Sequence, residues 1–268
     1  MLAEEDRVLD HHRATIDRAV DRLRARDDVL AVLVGGSIAH GFATATSDVD
    51  LLIVVSDADW ERRLADGAVT ELDLESPTYD GGYVDAKYTS MGFLGAVAAH
   101  GSEQARFAFD GVIVAWSRVD GLGEALRAAA RYPAEGREER IRAFHAQLSY
   151  WHWMAREADR TGNAWLRGLA GPNVVVFAGR LILAHNAVLY PGFKWLLRVL
   201  RDVPGQPPGL LAAIDAVIAD PDLAAVDTLV ACVHEFRDWG VDPDEWGARF
   251  MLDTELAWMH GRPAIGDL

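Results

Sequence analysis

The chain has one cysteine, Cys232, among its 268 residues, so no disulfide can form within it. A single thiol fits a reducing compartment, and we expect the protein to be cytoplasmic. No continuous apolar run reaches the 18 or so residues that cross a bilayer. The charged N-terminal stretch MLAEEDRVLDHHR is typical of a helix and not of a secretory signal. These absences predict a protein without a membrane partner.

Positive charge is also scarce, because 26 Lys and Arg face 41 Asp and Glu and the formal net charge is −15. Such a surface repels polyanions, which argues against broad electrostatic binding to DNA or RNA. It tolerates a cationic small molecule, although acidity also serves solubility alone. The remaining composition, half hydrophobic and a quarter charged, is that of an ordinary globular protein with a sizeable core.

A change in composition near Tyr132 and Pro133 predicts two domains, residues 1–132 and 133–268. The first alternates helical patterns with four predicted strands, within the stretches VLAVLVGG, DVDLLIVVS, GGYVDAKYTS and GVIVAWS. The second shows helical spacing throughout and no convincing strand, which predicts a bundle. Pro172 is expected in the first turn of a helix that continues to Tyr190. The expected fold class is therefore α+β, a mixed sheet with helices followed by an all-α bundle.

Two aspartates open the second predicted strand, in the stretch GGSIAHGFATATSDVDLLIVV at residues 35–55. Alternate side chains of a strand share a face, so Asp48 and Asp50 are expected to point the same way. Two carboxylates about 4 Å apart repel by roughly 4 kcal/mol at an effective dielectric of 20. Mg²⁺ relieves such repulsion and usually binds one or two carboxylates together with substrate phosphates. The pair indicates a magnesium–nucleotide site, with a solvated strand end as the alternative.

Gly35, Gly36 and Ser37 precede this pair at the end of the first predicted strand. Glycine lets backbone N–H groups approach a phosphate closely, and serine adds a hydroxyl donor. A helix that begins after Ser37 would point its positive end at the same place. A tight strand-to-helix turn uses glycine equally well, so the order and spacing of the two motifs must decide between these interpretations.

The whole arrangement, Gly36-Ser37, ten residues and then Asp48-Val49-Asp50 between apolar strands, resembles the signature of the DNA polymerase β-like nucleotidyltransferase superfamily. The resemblance implies that the two aspartates hold metal ions, two Mg²⁺ in all. It also implies that Gly36 and Ser37, with Gly35 beside them, bind the triphosphate of ATP or another NTP.

In that superfamily a third carboxylate comes from a neighbouring strand, and Asp85 in GGYVDAKYTS has the matching place in the order. The resemblance implies that Asp85 binds metal, acts as the base, or does both. Lys87 lies two residues further, on the same face of the predicted strand, and is expected to contact the nucleotide.

The stretch LAHNAVLYPGFKWLLRVL carries a second, looser resemblance, to two-domain bacterial adenylyltransferases that modify antibiotics. The matching residues are Asn186, Tyr190, Lys194 and Trp195. The resemblance implies that Lys194 reaches the nucleotide phosphates, while a solvated lysine beside a core tryptophan is the alternative. Tyr150 and Trp153 lie one helical turn apart and, with Asn186 and Tyr190, are candidates for a substrate cleft.

These resemblances imply Mg²⁺-dependent transfer of NMP, most simply AMP, to a hydroxyl of a small-molecule acceptor such as an aminoglycoside or a lincosamide antibiotic. AMP transfer to a protein or an RNA is one alternative. A nucleotide-binding regulatory module without catalysis is another. The sequence leaves the acceptor, the preferred nucleotide and the oligomeric state open.

Overall fold

The computed structural model describes residues 8–242, 244–259 and 261. The chain divides into two compact units, Met1–Arg131 and Tyr132–Leu268. The expected α+β class is confirmed, because the strands of the described residues form one mixed sheet in the first unit and the second unit is helical.

The first unit is built on a five-stranded sheet with the order β3-β4-β2-β1-β5. Only β2 and β4 pair in parallel, while the other neighbours are antiparallel. The strands are β1 (Val29–Val34), β2 (Val49–Val55), β3 (Thr70–Asp73), β4 (Val84–Ser90) and β5 (Ile113–Ser117). The helices are α1 (Asp10–Arg24), α2 (Gly36–Ala39), α3 (Asp57–Asp66), α4 (Met91–His100), α5 (Glu103–Phe107) and α6 (Leu122–Ala129).

Helices cover both faces of this sheet, which explains why β1 is apolar at every position. Residues of α1 pack on one face, against a core that includes Leu51 and Ile53. Residues of α4 and α6 pack on the other, against Leu33 and Val54. The central strand β2 therefore has side chains of opposite faces in two separate cores, and only its first residues reach the edge of the packed region.

Two sequence expectations fail in this unit. The edge strand β3 was not predicted, because its sequence TELD is short, polar and half exposed and gives no hydrophobic alternation. The helical pattern of MGFLGAVAAHGSEQARFAFD predicts one helix over residues 91–110, but the structure has two. Helix α4 ends at His100, with Gly101 as its C-cap, and Ser102 caps α5 by accepting a hydrogen bond from the Ala105 N–H.

The second unit packs its helices around one core, to which α8 contributes more buried residues than any other helix. They are α7 (Arg137–Thr161), α8 (Ala164–His185), α9 (Leu196–Arg201), α10 (Leu210–Ala219), α11 (Leu223–Phe236) and α12 (Trp246–Asp253), with a 3-10 turn at Ala257–Met259. The prediction that this helix starts at Pro172 was wrong. It begins at Ala164, capped by the Asn163 side chain, and continues through the proline.

In the described part of the chain, α8 is long and apolar enough to cross a bilayer by length and composition. Half of its most apolar 18-residue window is nevertheless buried inside the structure. Its Ala178, Leu181 and Ile182 are fully enclosed by other helices of the unit. This burial is typical of the central helix of a helical core.

Candidate active site

The parallel pairing of β2 with β4 brings two of the predicted carboxylates together. Asp50 lies directly opposite Asp85 in the register, and Leu52 lies opposite Lys87. Residues opposite each other in neighbouring strands share a face, so Asp50, Asp85 and Lys87 project from the same side of the sheet. Asp48 is the residue before β2 begins, so the turn ahead of the strand positions it.

Lys87 bridges the two strand carboxylates. Its Nζ lies 2.7 Å from Asp85 Oδ2 and 3.5 Å from Asp50 Oδ1. Burial disfavours the charged lysine, but the hydrogen bond to Asp85 and the attraction of Asp50 outweigh it, so the pKa of Lys87 is raised. Lys87 and Lys194 are the two lysines of the whole chain, in which every other strong base is an arginine.

Asp50 is the carboxylate in the least favourable position for a negative charge. Its side chain is 27% exposed. Burial raises the pKa of Asp50, and repulsion from Asp48 raises it further, while Lys87 acts in the opposite direction. The ionised Asp50 carboxylate therefore destabilises the folded protein, and a further cation or a proton would reduce that cost.

Gly36 is required by the position of this carboxylate. Its φ of +58° is a left-handed conformation that other residues rarely adopt. A Cβ at Gly36 would lie 1.8 Å from Asp50 Oδ2. Gly35 differs, because a Cβ there would meet Leu52 at an ordinary 3.8 Å and its N–H donates to the Asp50 carbonyl oxygen at 3.0 Å. The Gly35 amide thus extends the sheet, and Gly36 makes room for the carboxylate.

Ser37 carries a buried hydroxyl that has no hydrogen-bond partner among the described residues. The residue is 7% exposed and belongs to α2, a single turn that begins at Gly36 and not after Ser37 as expected. The first turn of any helix leaves its N–H groups without intrahelical acceptors, and here those groups belong to Gly36, Ser37 and Ile38. The first-turn amides and the unpaired Ser37 hydroxyl thus lie at or next to Gly36, whose Cβ position is occupied by the Asp50 carboxylate.

Sequence reasoning missed the residues that hold the turn before Asp48. The buried His12 of α1 places its Nε2 3.0 Å from the Ser47 carbonyl oxygen, and the Tyr79 hydroxyl donates to the same oxygen at 2.5 Å. Repulsion by Asp48 and a hydrogen bond to it raise the pKa of Tyr83. The adjacent histidines His11 and His12 in the predicted first helix were the signal that sequence reasoning could have used. His12 is fully buried, and a buried histidine needs a polar partner.

The described residues contain no group of three or more His, Cys, Asp or Glu side chains arranged to hold a metal ion. The Lys87 ammonium, bonded to Asp85 and close to Asp50, supplies the positive charge at this point. The donor set itself still suits a hard divalent cation, because it consists of carboxylate oxygens, the ligands that such cations prefer. The metal role predicted for Asp48, Asp50 and Asp85 stays a prediction.

The predicted residues of the second unit have varied surroundings. Lys194 is exposed, in the turn before α9, with its Nζ 5.5 Å from the centre of the Trp195 ring. The Asn186 amide donates to the carbonyl oxygens of Ile182 and Gly205 and accepts from the Gly205 N–H. These bonds occupy Asn186 in fixing the loop after α9. Tyr190 is buried, 5% exposed, and Arg180 lies 4.6 Å from its ring centre.

The two aromatic candidates on α7 differ in a similar way. Tyr150 stacks on Phe250 of α12 with ring centres 3.6 Å apart, which is a packing contact. Trp153 is 49% exposed and lines a cavity within the second unit. The proposed substrate cleft stays a prediction for all four residues, and Trp153 is the member that borders open space.

Comparison with known proteins gives a family-model match over the segment that contains the aspartate pair. Residues 16–80 match the family model described as a nucleotidyltransferase domain, a range that contains Asp48 and Asp50 and ends before Asp85. A solved nucleotidyltransferase-like protein from Exiguobacterium sibiricum 255-15 is similar with a TM-score of 0.47 and 11% identity, over 84% of this chain and 73% of that chain. No curated protein sequence matches the chain. The match at residues 16–80 supports a nucleotidyltransferase domain in the first unit, as the aspartate motif predicted.

Proposed function

We propose that the protein is a Mg²⁺-dependent nucleotidyltransferase that moves NMP, most simply AMP from ATP, to a hydroxyl of a small-molecule acceptor. The observation that carries this proposal is the register of β2 and β4, which sets Asp50 opposite Asp85 and close to Gly36. A strand end that only closed a core would need neither the carboxylate pair nor the missing Cβ. The nucleotidyltransferase domain supports NMP transfer in general.

Asp48, Asp50 and Asp85 are the residues that would hold Mg²⁺. Burial and repulsion from Asp48 raise the pKa of Asp50, and a cation bound there would relieve that repulsion. A divalent ion supplies Lewis-acid polarisation of the phosphate and neutralises charge on the leaving group. If Asp50 and Asp85 held a cation, Lys87 would no longer be their partner and could contact the phosphates.

The reaction forms one bond and breaks another. The acceptor oxygen bonds to the α-phosphorus, the bond from that phosphorus to the bridging β-phosphate oxygen breaks, and pyrophosphate leaves. The acceptor proton passes to the Asp85 carboxylate. The Gly36 and Ser37 N–H groups and the Ser37 hydroxyl bind the triphosphate, and preorganised donors of this kind stabilise charge that develops in the transition state. Lys87 adds positive charge to the phosphates.

The acceptor is proposed from the charge of the chain. A net charge of −15 disfavours nucleic acid and favours a cationic small molecule, for which an aminoglycoside or a lincosamide is the working choice. We place the protein in the cytoplasm, where NTPs are abundant and the single cysteine stays reduced.

Mass spectrometry tests the proposal. The protein is incubated with Mg²⁺, each NTP in turn, and aminoglycosides, lincosamides, proteins or tRNA, and each acceptor is examined for a mass gain of one NMP. Asp50→Asn should abolish the gain, whereas Asp66→Asn, which makes the same charge change at an exposed position of α3, should retain it. Transfer by Asp50→Asn at the wild-type rate would refute the assignment.

The Lys87 bridge favours a second candidate, a module that binds nucleotide without transferring it. An ammonium group bonded to the carboxylates can substitute for a metal ion structurally but cannot supply the metal's chemistry. Thermal unfolding with ATP separates the candidates, since ligand binding to the folded state raises the midpoint. A shift that requires Mg²⁺ supports the transferase, and an equal shift without Mg²⁺ supports the module.

A further inference from the structure

A cavity of about 410 Å³ lies inside the second unit, between α7, the end of α11 with the segment after it, and the start of α12. This volume falls within the roughly 300–1,000 Å³ typical of small-molecule sites. We call it the histidine pocket, because His145, His152 and His234 line it. The carboxylates and glycines assigned to NMP transfer belong to the first unit, so that function does not explain this pocket.

One face of α7 supplies a polar stripe to this pocket. His145, Ser149, His152 and Arg156 all line it, at spacings of four, three and four residues that place them on the same side of the helix. Neighbouring residues Phe144 and Leu148 take part in the core of the unit. A helix face that packs against other helices normally carries apolar residues, so a polar stripe here is unusual.

The deepest members of the stripe are costly to bury. His145 is 8% exposed, its ring stacks on that of His234 with centres 4.9 Å apart, and its Nδ1 has no partner among the described residues. Burial and the neighbouring His234 lower the pKa of His145 to about 4, so both rings are neutral at pH 7. A buried nitrogen without a hydrogen-bond partner destabilises the fold. A ligand that bonds to this nitrogen would recover that cost.

Three tryptophans form flat walls around these imidazoles. Trp239 is 6% exposed and is held by its indole N–H, which donates to the Val233 carbonyl oxygen at 2.9 Å. Trp153 and Trp246 also line the cavity, and Trp153 is 49% exposed although it faces a binding-sized space. Indole faces pack best on another planar ring, so the walls favour an aromatic ligand.

Two arginines, Arg156 and Arg237, line the pocket together with one acid, Asp238. A second acid, Asp227, lies 2.5 Å from His152 Nε2 and 3.8 Å from Arg156 Nη2, so Arg237 is the arginine that has no carboxylate partner among these residues. Arg237 donates to two neutral acceptors, His185 Nδ1 at 3.1 Å and the Asp238 carbonyl oxygen at 2.8 Å, and these leave its charge uncompensated. The Asp238 carboxylate accepts from the Gly240 N–H at 2.8 Å. Arginine matches a carboxylate better than any other side chain does.

We propose that the histidine pocket binds a planar aromatic small molecule that bears a carboxylate. The ring lies against the tryptophan walls, the carboxylate is bound by Arg237 and Arg156, and the unpaired imidazole nitrogen of His145 bonds to the ligand. The proposal goes beyond NMP transfer and does not depend on it.

Isothermal titration of the full chain with three matched probes tests this proposal. The probes are 1-naphthaleneacetate, its uncharged amide, and the cation 1-naphthylmethylamine, which share one ring system. A charge-assisted hydrogen bond contributes about 1.5–3 kcal/mol, so the acid should bind at least about tenfold more tightly than the amide, and the amine most weakly. Equal affinities, or no binding of the acid at millimolar concentration, would overturn the proposal.

Variants locate the binding in the pocket. Arg237→Gln and Arg156→Gln should each weaken the acid about tenfold and leave the amide unchanged, because each removes one charged donor. Arg167→Gln, an exposed position of α8 outside the pocket, controls for net charge and should change nothing. Arg156 is 60% exposed, so its variant keeps the fold even if the Arg237 variant does not. Binding of the acid that is equal in wild type and Arg156→Gln would contradict the assignment.

Discussion

Substitution of Gly36 by alanine best distinguishes a glycine that makes room for the Asp50 carboxylate from one that only forms a turn. The substitution imposes two separate costs. The left-handed φ of +58° is unfavourable for any residue with a Cβ, and the new Cβ would lie 1.8 Å from Asp50 Oδ2 and 2.7 Å from Asp50 Cβ. Rotation of the carboxylate relieves the first contact but not the second, so the backbone must also move.

Gly67 provides a matched control. It has a φ of +70° at the end of α3, and a Cβ there meets nothing within 4 Å. Gly67→Ala therefore carries the backbone cost alone, about 1 kcal/mol after the entropy gain in the unfolded chain. Gly36→Ala adds overpacking of about 1–3 kcal/mol, for a total loss of about 2–4 kcal/mol. Urea unfolding of the two variants measures the difference.

The contact with Asp50 predicts a coupling as well. In an Asp50→Ala background the Oδ2 and Cγ contacts disappear, so Gly36→Ala should cost at least about 0.5 kcal/mol less than it does in the wild type. NMP transfer should be lost in Gly36→Ala and retained in Gly67→Ala. Equal losses of stability in the two single variants, with no coupling to Asp50, would refute the steric argument.

Three further predictions follow from the charges. Because the pKa of Asp50 is raised in the folded state, its ionisation destabilises the fold as the pH rises. Asp50→Asn should therefore be more stable than the wild type at pH 7.5 in urea unfolding. A gain in stability that persists down to about pH 3.8 would contradict this prediction. Lys87→Met leaves Asp50 and Asp85 without their ammonium partner, so Mg²⁺ alone should raise its thermal midpoint more than that of the wild type or of the control Lys194→Met; equal shifts would count against a cation site. The pKa of His145 falls to about 4 on folding, so the free energy of unfolding should decrease as the pH drops from about 6.5 to 4. The decrease should be at most about 1.4 kcal/mol per pH unit. His145→Gln should reduce this pH dependence in acid titrations. An unchanged acid slope in this variant would refute it.

The aspartate motif could be predicted from sequence because its chemistry is local. Val49 and Leu51 alternate with Asp50 on one strand, and the glycines precede a turn, so period and turn residues alone indicate a charged edge beside a buried core. The partner carboxylate Asp85 could be named for the same reason, as it lies inside an alternating strand. Its position opposite Asp50 depends on the register of β2 and β4, which only the folded sheet defines.

Other features depend on packing between distant segments and left little sequence signal. The polar edge strand β3 exists because β4 offers it a hydrogen-bonding edge, not because TELD favours a strand. The helix through Pro172 is held by burial on several sides, which overrides the local preference for a helix start. The Lys87 bridge could have been suspected, since two lysines among 26 basic residues both fall in candidate sites.

Binding of a non-hydrolysable ATP analogue with a methylene group between the α- and β-phosphates tests the central claim most directly. Isothermal titration should show binding to the wild type that requires Mg²⁺, and Asp50→Asn should lose the metal-dependent part while Asp66→Asn keeps it. Binding that is independent of Mg²⁺ and equal in all three proteins would contradict a metal–nucleotide site at Asp50 and Asp85.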